Sequence, residues 1–352
     1  MNKITINDIA RIAKCSKATV SLAIRNSPKV KQETKDRILK VVKKYNFYPN
    51  YIASKLASGK TGVIAVVASR FSNTFLSPLL TAIENYIFNK EKKIGEYKLQ
   101  LYSTFNKIEI KNEILREILY SKVADAVVVI TIKPEQDIIS EYKKLKRPLI
   151  LVENKDPNAH SITIDNEYGV ECALDYLYNN NRKNIVFIVG SLTSAIDEEV
   201  SGIPEERLNA YKNWCKNKNI TVDNKNIYYC RSYWINEARE VADKIIKENK
   251  YVDAIFCAAG DIFANGIMQR LIEKGIKIPD DIAIIGYDNH FIGEAVTPQL
   301  STVDQKLEEV GVQAYLLAVD AINEKIKSYK SIIIKPELIK RQSSSIKSQQ
   351  QF

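Results

Sequence analysis

The sequence predicts a small all-α head followed by a larger α/β domain built from two parallel-sheet lobes. The first sixty residues place apolar side chains at helical spacing, whereas short Val- and Ile-rich runs alternate with amphipathic segments from Gly62 onward. The whole positive charge excess lies in the head. A length of 352 residues allows two or three domains, each with its own core.

Three short helices are predicted in the head. Thr5-Ile6-Asn7-Asp8 can form a capping box, from which the first helix runs to about Ala13. Ser16 is a good N-cap for a second helix over 17–25, and a third helix is expected over 32–45. Because a three-residue turn joins the first two helices, they form a helix-turn-helix.

The charge distribution favours a polyanionic partner for the head alone. Residues 1–60 hold 14 Lys or Arg against three acidic residues, although the net charge of the whole chain is only +10. The remainder is therefore close to neutral, and a basic head on a neutral body is typical of nucleic-acid binding. Charge alone leaves a solvated basic face as an equal alternative.

Several function classes find no support in the sequence. The five cysteines are odd in number and include no C-x-x-C pair, so neither a disulfide framework nor a thiolate zinc site is signalled. We find no catalytic motif, complete phosphate loop or cofactor site, and only His160 and His290 could serve histidine chemistry. Because we find no signal peptide and no apolar span, we expect a cytoplasmic protein with no membrane partner.

Eight apolar runs predict strands of the α/β domain. Near-continuous Val and Ile runs between helices indicate parallel sheets that are covered on both faces. Eight strands are too many for one comfortable sheet, which favours two lobes. The runs are 63–68, 99–102, 126–130, 148–152, 161–164, 185–189, 254–257 and 282–285.

Polar residues follow several of these runs. Arg70, Glu153, Asp165, Asp261 and Asp288 each come shortly after a predicted strand. Parallel sheets bind ligands at the carboxyl ends of their strands. Carboxylates that converge with an arginine suit hydroxyl-rich or amine-bearing ligands, because each group can make paired, charge-assisted hydrogen bonds.

Three blocks in the head carry a family resemblance. They are Thr5-Ile6-Asn7-Asp8-Ile9-Ala10, Cys15-Ser16-Lys17-Ala18-Thr19-Val20-Ser21 and Asn46-Phe47-Tyr48-Pro49-Asn50. In sequence and spacing these blocks resemble the LacI-GalR family of bacterial transcription regulators. The resemblance implies that the second helix lies in the major groove, where Lys17, Ala18 and Leu22 contact base edges. The wider DNA-contacting set is Thr5 together with the phosphate-holding residues Ser16, Thr19, Ser21, Arg25, Lys29 and Asn50.

Two positions depart from the family pattern in this head. Lys14 replaces the usual turn glycine, so a non-glycine residue is expected to adopt a left-handed conformation. Leu22 stands where many relatives have arginine, which favours apolar contact with a thymine methyl over a guanine-reading fork. Plain helix surface is the alternative interpretation of Ala18 and Leu22.

Residues 50–60 resemble the family's hinge, a short helix that forms on operator DNA and enters the minor groove. Ala53 and Leu56 occupy the matching positions. A small residue permits close approach, and an apolar wedge can unstack a base step. An ordinary linker that ends at Gly59 is the alternative.

The resemblance extends through nearly the whole remaining chain. It rests on blocks such as Ile164-Asp165-Asn166, Glu206-Arg207, Gly260-Asp261, Ile285-Gly286-Tyr287-Asp288 and Leu300-Ser301-Thr302-Val303. It implies a periplasmic-binding-protein-like domain in which Arg207 and Asp288 hold an effector. It also implies that Phe75, Asp165 and Asp261 line the cleft and that Tyr233 stacks on the ligand. Gly260 replaces a common asparagine, which leaves the effector's identity open.

Each of these residues also has an ordinary structural interpretation. Phe75 and Tyr233 can be core aromatics, and Asp261 can cap a helix. Arg207 and Asp288 can be surface ion-pair residues. If they instead bind effector, alanine variants of either residue should fold normally and lose only the effector response.

The sequence therefore predicts a helix-turn-helix domain over 1–49, a hinge over 50–60, an effector-binding and dimerisation domain over 61–341 and a disordered tail over 342–352. The predicted function is an operator-binding regulator, most simply a repressor, controlled by a small molecule of the sugar class. It would act on double-stranded DNA as a homodimer or higher oligomer. A two-lobed solute receptor and an enzyme without a DNA role are the alternatives, since fold alone does not separate them.

Overall fold

The structure is a computed structural model that describes residues 4–24, 27–47, 60–71, 74–91, 97–193 and 201–345. The chain divides into two compact units, Met1–Thr61 and Gly62–Phe352. Most of the predicted hinge, including Ala53 and Leu56, lies outside the described residues, as do Arg25 and Asn50.

The first unit contains the three predicted helices, α1 (Ile6–Ile12), α2 (Lys17–Ile24) and α3 (Gln32–Lys44). Their apolar faces meet in a small core centred on the fully buried Ile9, Val20 and Ile38. The predicted capping box is confirmed, because the Thr5 side chain accepts from the Asp8 amide and the Asp8 carboxylate accepts from the Thr5 amide. The left-handed conformation predicted for Lys14 is also confirmed, with φ 49°.

The second unit contains two six-stranded sheets with helices packed against them. The strands are β1 (Val63–Ala68), β2 (Lys98–Ser103), β3 (Ala126–Ile130), β4 (Leu149–Val152), β5 (His160–Ile164), β6 (Ile185–Gly190), β7 (Ile227–Cys230), β8 (Ala254–Cys257), β9 (Ala283–Tyr287), β10 (Ser301–Asp304), β11 (Ser331–Ile334) and β12 (Glu337–Ile339). The helices are α4 (Leu76–Glu91), α5 (Ile108–Ser121), α6 (Gln136–Lys144), α7 (Asn166–Asn179), α8 (Ile203–Asn217), α9 (Ile235–Glu248), α10 (Asp261–Glu273), α11 (Ile292–Ala295) and α12 (Leu307–Ile322), with a short 3₁₀ turn at Asn224–Asn226.

Each sheet forms the centre of one lobe. Lobe 1 has the strand order β11-β5-β4-β3-β1-β2, with every pair parallel. Lobe 2 has the order β12-β10-β9-β8-β6-β7, in which only the edge pair β10–β12 is antiparallel. Central strands such as β3 and β9 are buried along their whole length, as expected for sheets covered on both faces. The predicted two-lobed architecture is confirmed.

Four strands were not predicted from apolar runs, because their composition does not form such runs. β10 reads Ser-Thr-Val-Asp, and its buried hydroxyls are hydrogen-bonded inside the lobe. β11 and β12 lie at sheet edges and leave much of their surface exposed. β7 is also an edge strand, and it contains two tyrosines. Long continuous runs of Val and Ile are needed only where both faces of a strand are covered.

The chain crosses between the lobes three times. The first crossing joins β5 to α7 around Asp165, the second joins β10 to α12 around Gln305, and the third joins β11 to β12. The Asp165 amide donates to the Ile334 carbonyl at 2.9 Å, which links the first and third crossings. Lys306 and Glu337 link the second and third through a 2.6 Å ion pair.

The predicted disordered tail requires a correction at its start. Ser343 and Ser344 are buried rather than solvated. The Ser343 hydroxyl donates to the Ile284 carbonyl at 2.6 Å and accepts from the Ser301 amide at 2.8 Å. These serines supply the polar partners that the buried, hydroxyl-rich β10 requires. Residues 346–352 lie outside the described residues.

Candidate functional sites in the head and between the lobes

Helix α2 presents one exposed and one buried face. The Ser16 hydroxyl accepts from the Thr19 amide at 3.1 Å, which caps the helix as its sequence predicts. Val20 and Ala23 are buried in the head core. On the opposite side Lys17, Ala18 and Leu22 are exposed, and Leu22 exposes 36% of its surface. An exposed face with these side chains can contact the edges of base pairs.

The rest of the predicted DNA-contacting set is distributed around this face. Thr5, Ser16 and Lys29 are exposed, whereas Thr19 and Ser21 are half-buried. Lys29 follows a turn in which its amide donates to the Ser27 hydroxyl at 3.3 Å. Exposed amide, hydroxyl and ammonium donors of this kind can hold phosphate oxygens.

In the second unit, Arg207 lies at the centre of a buried polar network. It projects from α8 and exposes only 7% of its surface. Its Nε donates to Asn166 Oδ1 at 3.0 Å, Nη1 to the Ala258 carbonyl at 2.8 Å, and Nη2 to Gln305 Oε1 at 3.0 Å. The guanidinium also lies over the Tyr287 ring, 3.7 Å from its centroid.

Two of these partners lie on inter-lobe crossings. Asn166 begins α7 at the first crossing, and Gln305 lies on the second. Both side chains are buried, so their bonds to Arg207 form away from solvent. A single guanidinium is thus bonded to two of the three chain segments that connect the lobes.

Asp288 follows β9 in a sparsely populated backbone conformation, with φ 111°. Its Oδ1 accepts from Gln305 Nε2 at 2.5 Å. A Cβ atom at Gly260 would lie only 2.8 Å from Asp288 Oδ2, so glycine leaves room for the carboxylate. Burial raises the pKa of Asp288 to about 6, and the nearby Arg207 charge partly opposes this rise.

Glu153 belongs to the same buried polar network as Arg207, on the side of lobe 1. It follows β4 with φ 60°, and its Oε1 accepts from the Ile164 amide at 2.6 Å. Asn166 Nδ2 lies between two carboxylates, 3.4 Å from Glu153 Oε2 and 3.1 Å from Glu206 Oε2. Burial raises the pKa of Glu153 to about 7.

The remaining predicted effector residues occupy different environments. Asp165 caps α7 by accepting from the Tyr168 amide at 3.0 Å. Phe75 packs half-buried against the core of lobe 1. Asp261 is fully buried, and its carboxylate accepts from the Thr302 hydroxyl at 2.7 Å and from the His290 amide at 2.8 Å. Burial and the nearby Asp288 charge raise the pKa of Asp261.

Tyr233 lies close to Arg207 and Asp288. It has φ 60° and exposes 47% of its surface, while its hydroxyl packs against Gly190 at the end of β6. Burial of that hydroxyl is the main reason that the tyrosine pKa rises to about 12, and the Asp288 charge adds to the rise. A half-exposed ring beside charged groups can serve as one wall of a ligand site.

The structure therefore brings together Arg207, Asp288, Tyr233 and Glu153, and adds two residues that sequence reasoning did not select as site residues, Asn166 and Gln305. Asn166 carried a signal, since it lies beside Asp165, which follows a predicted strand. Gln305 carried none, because β10 does not read as a strand. Across the described part of the chain, no cluster of His, Cys, Asp or Glu could hold a metal ion, and no helix is long and apolar enough to cross a membrane.

Both units of the chain match families of known proteins. Residues 5–50 match the family model for bacterial regulatory proteins of the lacI family, and residues 174–344 match a periplasmic binding protein-like domain. The transcriptional repressor PurR of Vibrio cholerae is 28% identical over 345 residues, covering 96% of this chain and 97% of PurR. The NTD biosynthesis operon regulator NtdR of Bacillus subtilis is 29% identical over 350 residues, covering 97% and 99%.

The fold is also that of a solved regulator. A Lac repressor dimer bound to operator and the anti-inducer ONPF superposes with a TM-score of 0.82 at 18% identity, covering 97% of this chain and 99% of that one. The relatives of this chain named above, PurR and NtdR, are transcription regulators and not enzymes. The chain is therefore a DNA-binding transcription regulator of the LacI-GalR family.

Proposed function

We propose that this regulator is a homodimeric repressor whose affinity for operator DNA is set by a small molecule bound between its lobes. The observation that carries the proposal is the bonding of Arg207 to Asn166 and Gln305, one on each of two inter-lobe crossings. A ligand that engages the remaining N–H groups of Arg207 or the second oxygen of Asp288 adds bonds to the same group of residues. Because the bonds lie on the crossings, ligand binding favours one arrangement of the lobes over another.

The proposed effector site consists of Arg207, Asp288 and Tyr233. Arg207 uses three donor bonds internally, which leaves one N–H on each terminal nitrogen for a ligand. Asp288 and Tyr233 add a carboxylate and a half-exposed aromatic ring. This combination suits a polyol of the sugar class, which needs paired acceptors and donors and an apolar wall. Phe75, Asp165 and Asp261 are proposed to support this site from its edges.

In the head, we propose that α2 enters the major groove and reads base edges through Lys17, Ala18 and Leu22. The exposed position of Leu22 supports this role, because a large apolar side chain on a surface helix gains by burial against a thymine methyl. The hinge role of Ala53 and Leu56 rests on the sequence resemblance alone.

The DNA role is tested by selecting a binding site from a random duplex pool with the full chain and measuring its affinity. Leu22→Ala should weaken specific binding by about 1–3 kcal/mol, the range of one lost base contact. Leu39→Ala is the matched control, since Leu39 is 41% exposed on α3, which is not proposed to read bases. Equal affinities of the two variants would contradict base reading by α2.

The effector role is tested by a thermal-shift screen of the full chain against sugars, amino sugars, nucleobases and amino acids. A ligand that binds the folded state raises the melting temperature in proportion to its saturation. A hit that loses its effect in Asp288→Asn would support the inter-lobe site. A hit that is unchanged in this variant would place the ligand elsewhere.

A further inference from the structure

We propose that the effector carries a cationic amine, as in an amino sugar, and that Asp288 binds its ammonium group. This inference rests on the proposed effector function, which it narrows to one chemical class. It is carried by the charges around Arg207, by the way Arg207 is bonded, and by the unbonded second oxygen of Asp288.

The charges between the lobes are strongly unequal. The charges of Glu153, Asp165, Asp288 and Arg207 all act on Tyr287. Beside them, the exposed Glu206 accepts from Asn166, and the charge of the buried Asp261 interacts with those of Asp288 and Arg341. Glu153, Asp261 and Arg207 are buried, and neither Arg207 nor any of the five carboxylates forms an ion pair with another described residue. The carboxylates are Glu153, Asp165, Glu206, Asp261 and Asp288.

Arg207 does not neutralise this excess by direct contact. Its three hydrogen bonds all go to neutral acceptors, namely two side-chain amides and one backbone carbonyl. The Gln305 amide stands between the guanidinium and Asp288, accepting from one and donating to the other. The Asp288 carboxylate therefore has a neutral donor as its partner, although a charged donor would bind it more strongly.

The second oxygen of Asp288 has no hydrogen-bond donor among the described residues. Oδ1 is bonded to Gln305, whereas Oδ2 accepts no hydrogen bond from the described residues and faces Gly260. Any larger side chain at position 260 would crowd this oxygen. Glycine therefore lets the carboxylate occupy this position, with Oδ2 against the Gly260 backbone and without a hydrogen-bond donor among the described residues.

An ammonium group satisfies this environment better than a hydroxyl group. It offers three donors and a full positive charge, so it can bond Oδ2 and compensate the negative charge of Asp288 and of the neighbouring carboxylates. The half-exposed Tyr233 ring beside Asp288 adds a surface on which a cation or a sugar ring can rest. The same site gives a neutral polyol hydrogen bonds but no charge compensation.

The test compares matched probes on the full chain in amine-free phosphate buffer at pH 7.5. D-glucosamine is paired with D-glucose and D-galactosamine with D-galactose, and N-acetyl-D-glucosamine keeps the nitrogen but removes its charge. We expect at least one amine to bind at least tenfold more tightly than its neutral partners, as measured by calorimetry and by the rise in melting temperature. Asp288→Asn should abolish this preference.

Asp243→Asn is the control variant, because Asp243 is a partly exposed ion-pair residue on α9, outside the inter-lobe network. It should retain the amine preference in full. Binding of neutral sugars without any amine preference would overturn the inference and leave the proposed effector function standing. Amine binding that survives Asp288→Asn, or no binding by either amino sugar, would also overturn it.

Discussion

Replacing Arg207 with alanine should destabilise lobe 2 as well as change effector binding. The substitution leaves the Ala258 carbonyl and Gln305 Oε1 without a donor, at about 1–3 kcal/mol for each buried acceptor. It also removes the cation–π contact with Tyr287, which contributes about 1–2 kcal/mol in a desolvated position. The expected loss of stability is about 3–8 kcal/mol. The family motif alone predicts normal folding for this variant, so the two interpretations differ in a measurable way.

Urea unfolding, monitored by tryptophan fluorescence, measures this loss of stability in lobe 2. Both tryptophans of the chain, Trp214 and Trp234, lie in lobe 2 with Arg207. With a slope of about 3 kcal/mol per molar urea, the unfolding midpoint should fall by about 1–3 M. Arg239→Ala is the control, because its exposed ion pair with Glu273 contributes less than about 1 kcal/mol. Midpoints of Arg207→Ala and Arg239→Ala that agree within error would refute the buried network.

Three further substitutions follow from the structure and sequence. Burial raises the pKa of Glu153 to about 7, so its ionisation destabilises the folded protein as the pH rises from about 4.5 through 7. In urea titrations at pH 5 and 8, Glu153→Gln should remove about 3 kcal/mol of that loss. A variant whose stability depends on pH as the wild type's does would count against this prediction. Ser343→Ala should cost about 1–3 kcal/mol, whereas Ser345→Ala, at an exposed site, should cost little. Leu56→Ala should weaken operator binding by about 1–3 kcal/mol and leave non-specific binding unchanged, as gel-shift titrations with both DNAs would show.

The head was predictable because short-range rules determine it. The capping box of Thr5 and Asp8, the Ser16 cap and the apolar spacing around Val20 all act within a few residues, and each appears in the structure as expected. The unusual conformation of Lys14 was also predictable, because a tight turn between two helices restricts the backbone at that position.

The polar network between the lobes could be predicted only in part. The motif around Arg207 indicated a ligand site, but its partners Ala258 and Gln305 are 51 and 98 residues away in sequence. Such pairings depend on strand order, which apolar periodicity does not specify. The burial of Ser343 was missed for a similar reason. A serine-rich segment is typical of a solvated tail unless a distant polar strand requires its hydroxyls.

The most direct test of the account is the coupling between the two units. The full chain is titrated with its selected operator, with and without a saturating concentration of the ligand found in the thermal-shift screen. We expect operator affinity to change at least fivefold, and ligand affinity to change by the same factor when operator is bound. Asp288→Asn should remove this change while leaving ligand-free operator affinity intact. Equal operator affinity with and without saturating ligand would contradict the proposal that the cleft controls DNA binding.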